Sequence, residues 1–339
     1  MSLIKYILRR LIAMIPVVLG VVTLTFILSR MMPGDPVLAY LPVGKPDPEL
    51  YDRMRSILWL DRPIILQYFK YLGDLFSGNW GFSVSIAHGT EVWPLIMEKL
   101  PRTVDIAIFS IIIAAFLGTK SGVISATHRN KPRDTLIRGM ALIGVSIPVF
   151  YLGVLLQYWL AYVVGWFPAT GYKTRSYTNP PFVTGFRWID ALISGELYFV
   201  TDYFYHLILP VFCLAFITLA GITRQSRSSM LEVLEQDYIR TARAKGCREK
   251  DVINVHAQRN SLIPTVTVIG LNFAGLLSGA VLTETTFNLN GIGKLMIDAI
   301  RESEYWILTA LVFVITIIFV SINLAIDVIY ALVDPRIRY

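Results

Sequence analysis

Charged positions along the chain punctuate long apolar stretches, and the distances between them predict the elements. Spanning a hydrocarbon core of about 30 Å takes about 20 apolar residues in a helix. Arg10 to Arg30 encloses 19 uncharged residues, Asp202 to Arg224 encloses 21, Arg259 to Glu284 encloses 24 and Glu304 to Asp327 encloses 22. Arg138 to Lys173 encloses 34, enough for one span and the Gly/Pro-rich exit GWFPATGY at 165–172. Asp105 and Lys120 leave only 14 clean residues between them. A span over 103–126 nonetheless keeps both charges near its ends, where they can snorkel to the interface. The pattern predicts an all-α integral membrane protein with six transmembrane helices, at 9–30, 103–126, 138–163, 204–224, 261–284 and 305–328. The first run is too long for a signal-peptide core, and SRMMPGDP (29–36) has no small-x-small cleavage pattern.

Two stretches outside the spans mix apolar and charged residues at roughly helical spacing: LWLDRPIILQYFKYLGDLF (58–76) and WIDALISGELYFV (188–200). They predict helices along the outer interface, with Trp59, Tyr68 and Trp188 as interfacial anchors. Segment 31–102 reads as extracytoplasmic, capping the bundle. No internal repeat is evident.

Composition closes off other classes. Hydrophobic residues make up 55% of the 339 and charged residues only 16%, against about a quarter charged in soluble domains. That excludes a soluble globule, a disordered chain and a secreted disulfide scaffold. The net charge of +7 divides unevenly. With the N-terminus inside, the inner segments carry +10 and the outer ones −3. The positive-inside bias therefore predicts that both termini are cytoplasmic.

Candidate chemistry is sparse. No G-x-x-x-x-G-K-[ST] phosphate loop occurs, and GTKSG (118–122) has the wrong order. His88, His128, His206 and His256 are scattered, and no metal ligand set is expected. Asp105, Lys120, Glu284 and Asp327 fall near span ends, which favours structural anchoring over a proton relay. The outer aromatics Trp166, Tyr172, Tyr177, Trp188, Tyr198 and Tyr203 suit contact with peptides and sugars alike, and interfacial anchoring is the preferred reading.

The most informative segment is the inner loop 225–260, with the core LEQDYIRTARAKGCREKDVINVHAQRNSLIP (234–264). Asp237 reads as an N-cap and Gly246 as a left-handed stop. A second short helix is expected from Asp251 into Pro264. The small apolar face of the first helix suits a protein groove better than acyl chains, although a lipid-bound amphipathic element is the alternative.

This loop resembles that of ABC importer permeases, EAA-x3-G-x9-I-x-L-P. Arg240 stands for the glutamate, Thr241 and Ala242 for the alanines, and Gly246 matches; His256 replaces the isoleucine, and Gln258 and Arg259 replace Leu-Pro. The departures are those of the oligopeptide/dipeptide/nickel branch, with QDYIRTARAKG followed by H-A-x-R-N-x-L-x-P. YILRRL (6–11), PGDP (33–36), LDRP (60–63), LPRT (100–103), SIPVF (146–150), GWFPATG (165–171), ETTFNLNGIGKLMIDAI (284–300) and DPRIR (334–338) extend the likeness along the chain. Asn290 stands where a proline is usual.

The resemblance implies a type I ABC importer permease fold in a prokaryotic cell membrane, without enzymatic activity of its own. Implied partners are a second, homologous permease, two cytoplasmic ATPases that bind ATP and Mg, an extracytoplasmic solute-binding protein, and membrane lipid, with no nucleic acid. The ATPase-coupling residues would be Gln236, Asp237, Tyr238, Arg240, Thr241, Ala242, Arg243, Ala244, Lys245 and Gly246, supported by His256, Arg259, Asn260 and Pro264. The second and fifth spans would line the pore, with Asn272, Gly275, Ser278 and Gly279 in the small-residue run LNFAGLLSGA (271–280). The implied solute is a di- or oligopeptide, with oligosaccharides and nickel chelates as alternatives. A secondary carrier or channel is the reading from a different class.

Overall fold

The computed structural model describes residues 3–31, 35, 37–38, 41 and 47–333, and of residues 3, 4, 6, 278, 279 and 329–333 the backbone alone. PGDP (33–36), Asp35 excepted, and DPRIR (334–338) lie outside the described residues. The helices are α1 (Leu3–Met31), α2 (Pro48–Ile57), α3 (Ile64–Ser77), α4 (Val92–Thr127), α5 (Pro132–Ser146), α6 (Val149–Leu156), α7 (Arg187–Ile193), α8 (Leu197–Leu234), α9 (Asp237–Ala244), α10 (Glu249–Asp251), α11 (Gln258–Gly279), α12 (Val281–Phe287), α13 (Ile292–Arg301) and α14 (Tyr305–Val333).

Five of these are long and apolar enough to cross a membrane: Ile7–Met31, Val92–Thr127, Leu197–Leu234, Glu249–Leu277 and Tyr305–Val328. With 36 and 38 residues, α4 and α8 reach about 54 and 57 Å at 1.5 Å per residue. Each is longer than the hydrocarbon core is thick.

The sixth expected span, 138–163, is not one straight helix. Its halves α5 and α6 meet at 101°, because Pro148 removes an N–H and forces Ile147 into an extended conformation (φ −87°, ψ 124°). After α6 the chain continues as a π-helical turn, Gln157–Val163. The span expected at 261–284 also ends early. α11 stops at Gly279, and Glu284 belongs to the separate helix α12. α13 closes tightly on that break: a Cβ on Gly293 would lie 2.8 Å from Val281 Cα. The interfacial helix expected over 58–76 begins only after Pro63, because Trp59 turns the chain at φ +58°.

The core lies between α4 and α8. Ile106, Ala107, Ile111 and Ala114 of α4 pack with Tyr203, Leu207, Leu214 and Ile222 of α8, and Leu276, Leu277 and Phe287 close the side. The two helices lie close together at Gly118 and Gly122, which turn GTKSG into a small-xxx-small contact. A Cβ at Gly122 would meet Ser226 Cβ at 2.5 Å and the Thr223 carbonyl at 2.8 Å. Ser121 and Thr223 pair their hydroxyls alongside at 2.8 Å. α1 lies outside this core and is tied to α14 by Arg10–Asp327 (3.0 Å). Tyr68 fixes α3 to α1 through Thr23 (2.6 Å) and an edge contact with Phe26.

Candidate functional site

One end of the bundle presents α9, a helix of two turns. Gln236, not Asp237, is its N-cap. Asp237 occupies the first helical position instead, where a carboxylate faces the positive end of the helix dipole. Gly246 at φ +80° turns the chain out of the helix. Spacing i, i+3 puts Ile239 and Ala242 on one face, and that face packs against Ala126, Met230, Val252 and Ala257. Ala242, expected among the partner contacts, is only 9% exposed. The small apolar face therefore anchors α9 to its own bundle, not to another protein.

What remains outside is Gln236, Asp237, Tyr238, Arg240, Thr241, Arg243, Ala244, Lys245 and Gly246, all exposed. Arg243 grips Glu249 with two bonds (3.1 and 2.7 Å), and Arg240 reaches Asp237 at 3.3 Å. The Asn260 amide donates to the Tyr238 hydroxyl at 2.8 Å, joining α9 to α11. The second helix starts at Glu249, two residues before the expected Asp251. It runs through a π-helical turn (Val252–Ala257) and past Pro264 without a break. His256, Arg259 and Pro264 are exposed along this arm. The surface of α9 is thus rigidly mounted on two helices that enter the membrane.

Between this surface and the core, Asp134 is fully buried. Its carboxylate accepts from Ser125 (2.5 Å), the Asn130 N–H (3.0 Å) and the Arg227 guanidinium (2.8 and 2.9 Å). One residue thereby closes the α4–α5 turn and fastens it to α8.

The expected pore residues lie elsewhere. Asn272 is 12 residues beyond Asn260 on the same helix, about 18 Å away. Its amide bonds back to the Val268 carbonyl (2.7 Å). Gly275 is exposed, and a Cβ there would meet nothing within 4 Å. Of Ser278 and Gly279 the backbone alone is described.

The opposite end carries a polar lattice that the spacing of charges did not reveal. Asp105 accepts from the Tyr203 hydroxyl (2.6 Å) and the Trp188 indole (3.0 Å). Neither aromatic is an interfacial anchor: Tyr203 is fully buried, and Trp188 packs on Phe109 and Phe204. Glu284 accepts from Thr103 (2.5 Å) and the Lys294 N–H (3.0 Å), while Thr103 accepts from the Ile292 N–H (3.0 Å). Gly291 has no room for a Cβ beside Glu284 and Thr103. Arg102 stacks on Tyr172 (4.3 Å) and donates to the Asn290 carbonyl (2.8 Å). Asn290 itself sits at φ +53°, which a proline ring held near −65° would not adopt. Glu304 gathers the Ser83 hydroxyl and the N–H groups of Val84, Ser85 and Ile86 at 2.5–3.0 Å.

Asp190 organises the loop before α8. Burial opposes its ionisation, but the Thr184 N–H and hydroxyl (both 2.7 Å) and the Val183 and Gly185 N–H groups outweigh it and hold the carboxyl below its ordinary value. A lowered folded-state pKa means stability that is full above about pH 4 and lost as pH falls through the folded value. Hydrogen exchange across 180–195 is expected to quicken on acidification below about pH 4. Asp190→Asn is expected to abolish that pH dependence; an unchanged profile in the variant would refute the assignment.

Residues 118–339 match the family model described as "Binding-protein-dependent transport system inner membrane component", and residues 3–107 match its N-terminal companion. The chain belongs to this family. Among the similar members of the binding-protein-dependent transport family, a di/tripeptide transport system permease protein of Pseudomonas aeruginosa is 40% identical over 337 residues, 99% of each chain. A dipeptide transport system permease protein of Escherichia coli is 38% identical over 341 residues, again 99% of each. An oligopeptide transport system permease protein of Bacillus subtilis is 37% identical over 338 residues, 98% of this chain and 99% of that one. A chain of the inward-facing MetNI methionine ABC transporter superposes with a TM-score of 0.54 at 15% identity, covering 71% of this chain and 96% of that one. The fold is the all-α, type I ABC importer permease fold of a multi-pass membrane protein.

Proposed function

We propose that this chain is the permease subunit of an ATP-driven importer of di- and oligopeptides. It forms half of the translocation pathway beside a second, homologous permease. Of two ATPases, which bind the ATP and Mg, one docks on α9 and the other on the second permease, and an extracytoplasmic binding protein delivers the peptide at the opposite end. The observation that carries this reading is α9 itself: its apolar face is clamped to α8 and the π-helical arm, and its whole polar face is exposed. A push on that face is transmitted to two membrane helices without passing through a flexible linker. The names of the relatives support peptides as the solute. The basic excess around α9 supports placing that end, with both termini, in the cytoplasm. The exposed, unobstructed Gly275 supports a pore-facing or partner-facing α11.

Ala244→Trp, on the exposed face of α9, is expected to lower peptide-stimulated ATP hydrolysis of the reconstituted complex roughly tenfold. The thermal unfolding of the isolated permease is expected to stay within about 0.5 kcal/mol of wild type. Ala242→Trp, on the inner face, should instead destabilise the permease. If Ala244→Trp leaves hydrolysis and ATPase co-purification unchanged, α9 is not the coupling element.

A further inference from the structure

A cavity of about 330 Å³ opens where the end of α1 meets α3 and the start of α14. Its volume falls in the range of small-molecule sites. Phe26, Leu58, Leu60 and Phe82 form apolar walls, and Trp59, Tyr305 and Trp306 ring it. Such aromatics mark the level where acyl chains give way to headgroups. The cavity sits beside α1, the span with the least cover from the rest of the chain.

Two donors in its wall lack partners among the described residues. Arg30 Nε and the Tyr71 hydroxyl are both buried and make no hydrogen bond. The Arg30 guanidinium is held over the Phe26 ring at 5.3 Å. Burying a donor unpaired is costly, so the site is built for an acceptor that arrives from outside. The other charges are committed. Lys70 is neutralised by Asp74 (2.5 and 2.7 Å). In the adjoining cavity, which Arg30 and Arg55 also line, Asp35 accepts from the Tyr51 hydroxyl (2.5 Å) and the Val37 N–H (2.9 Å). Around the two cavities stand three cations and two carboxylates, and Arg30 has no ion-pair partner among the described residues.

We propose that this cavity binds one anionic phospholipid from the adjacent leaflet, its phosphate on Arg30 and Tyr71 and an acyl chain along Phe26 and Trp306. An anionic headgroup supplies the missing acceptor and charge, and the acyl chain fills the apolar wall. A soluble anion would satisfy the donors and leave that wall exposed. The lipid would brace the α1–α3–α14 corner against the core without touching α9.

Native mass spectrometry of the full-length chain in detergent tests this with phosphatidylglycerol and phosphatidylcholine of equal chain length. One phosphatidylglycerol is expected to bind about tenfold tighter than phosphatidylcholine. Arg30→Gln should remove the preference and Arg30→Lys should retain part of it. Arg259→Gln, at the other end of the bundle, should leave it unchanged. As a readout that does not depend on the Arg30 variant folding, brominated phosphatidylglycerol should quench wild-type tryptophan fluorescence more than that of Trp59→Phe/Trp306→Phe. Equal binding of the two lipids, a preference that survives Arg30→Gln, quenching indifferent to the two tryptophans, or displacement by millimolar inorganic phosphate would each overturn the proposal.

Discussion

Gly122→Leu is expected to unfold the α4–α8 pair at a cost of about 3 kcal/mol or more, at the upper end for overpacked cores. The reason is what the new side chain meets. Its Cβ would come 2.5 Å from Ser226 Cβ and 2.8 Å from the Thr223 carbonyl. The first is the root of a side chain and the second is backbone, so neither moves by changing a rotamer. Relief requires separating the helices, which opens the core around Ile222 and Ala114. Gly221, one residue from Ile222 on α8, has nothing within 4 Å of its Cβ position. Gly221→Ala is therefore expected to be neutral or to stabilise the helix by up to about 1 kcal/mol. Unfolding of the purified full-length chain in detergent, followed by intrinsic fluorescence against denaturant, checks both. A Gly122→Leu variant as stable as Gly221→Ala would refute the packing argument.

Arg227→Ala is expected to cost about 3–5 kcal/mol, because it leaves a buried carboxylate without its charge partner. Asp134 would keep Ser125 and the Asn130 N–H, two neutral donors for a fully buried anion. The loss should be felt first at the α4–α5 turn, where Asn130 already sits at φ +62°. The double variant Asp134→Leu/Arg227→Met removes both charges and is expected to recover most of the loss, since the desolvation cost goes with them. The same unfolding measurement decides. If the double variant is no more stable than Arg227→Ala, the cost lies in packing and not in the orphaned charge.

The fold was legible wherever a single local rule acted. Runs of uncharged residues located the spans, since no other physics tolerates so much contiguous apolar chain in a protein this size. Gly246 announced the end of α9, because its left-handed backbone suits glycine. SIPVF contains the information for the 101° break between α5 and α6, but the uncharged run by itself reads as one continuous span. At α9 the sequence singled out ten residues, of which the structure leaves nine exposed and buries Ala242. Ala242 and Ala244 look alike in the chain, and only the docking of Ile239 beside Ala242 tells which one faces inward. GTKSG illustrates the opposite failure. Its residues suggest a phosphate loop in the wrong order, while its glycine spacing serves a close contact between α4 and α8.

The polar lattice was out of reach for a different reason. Asp105 with Tyr203, Thr103 with Glu284 and Ser83 with Glu304 are separated by 98, 181 and 221 positions. Each member alone reads as an ordinary polar residue near a span end. Nothing local states that a carboxylate will be buried, because its cost is offset only by donors brought from distant helices. By itself, then, the sequence determined the solvent: a chain this apolar and this unevenly charged must fold as helices across a bilayer. It also determined the exposed, basic stretch that serves as the candidate docking surface. Tertiary structure alone decided which side of α9 is free, where α4 and α8 touch, and which buried charges are matched. Those are properties of pairs of residues, and the pairs exist only once the helices are packed.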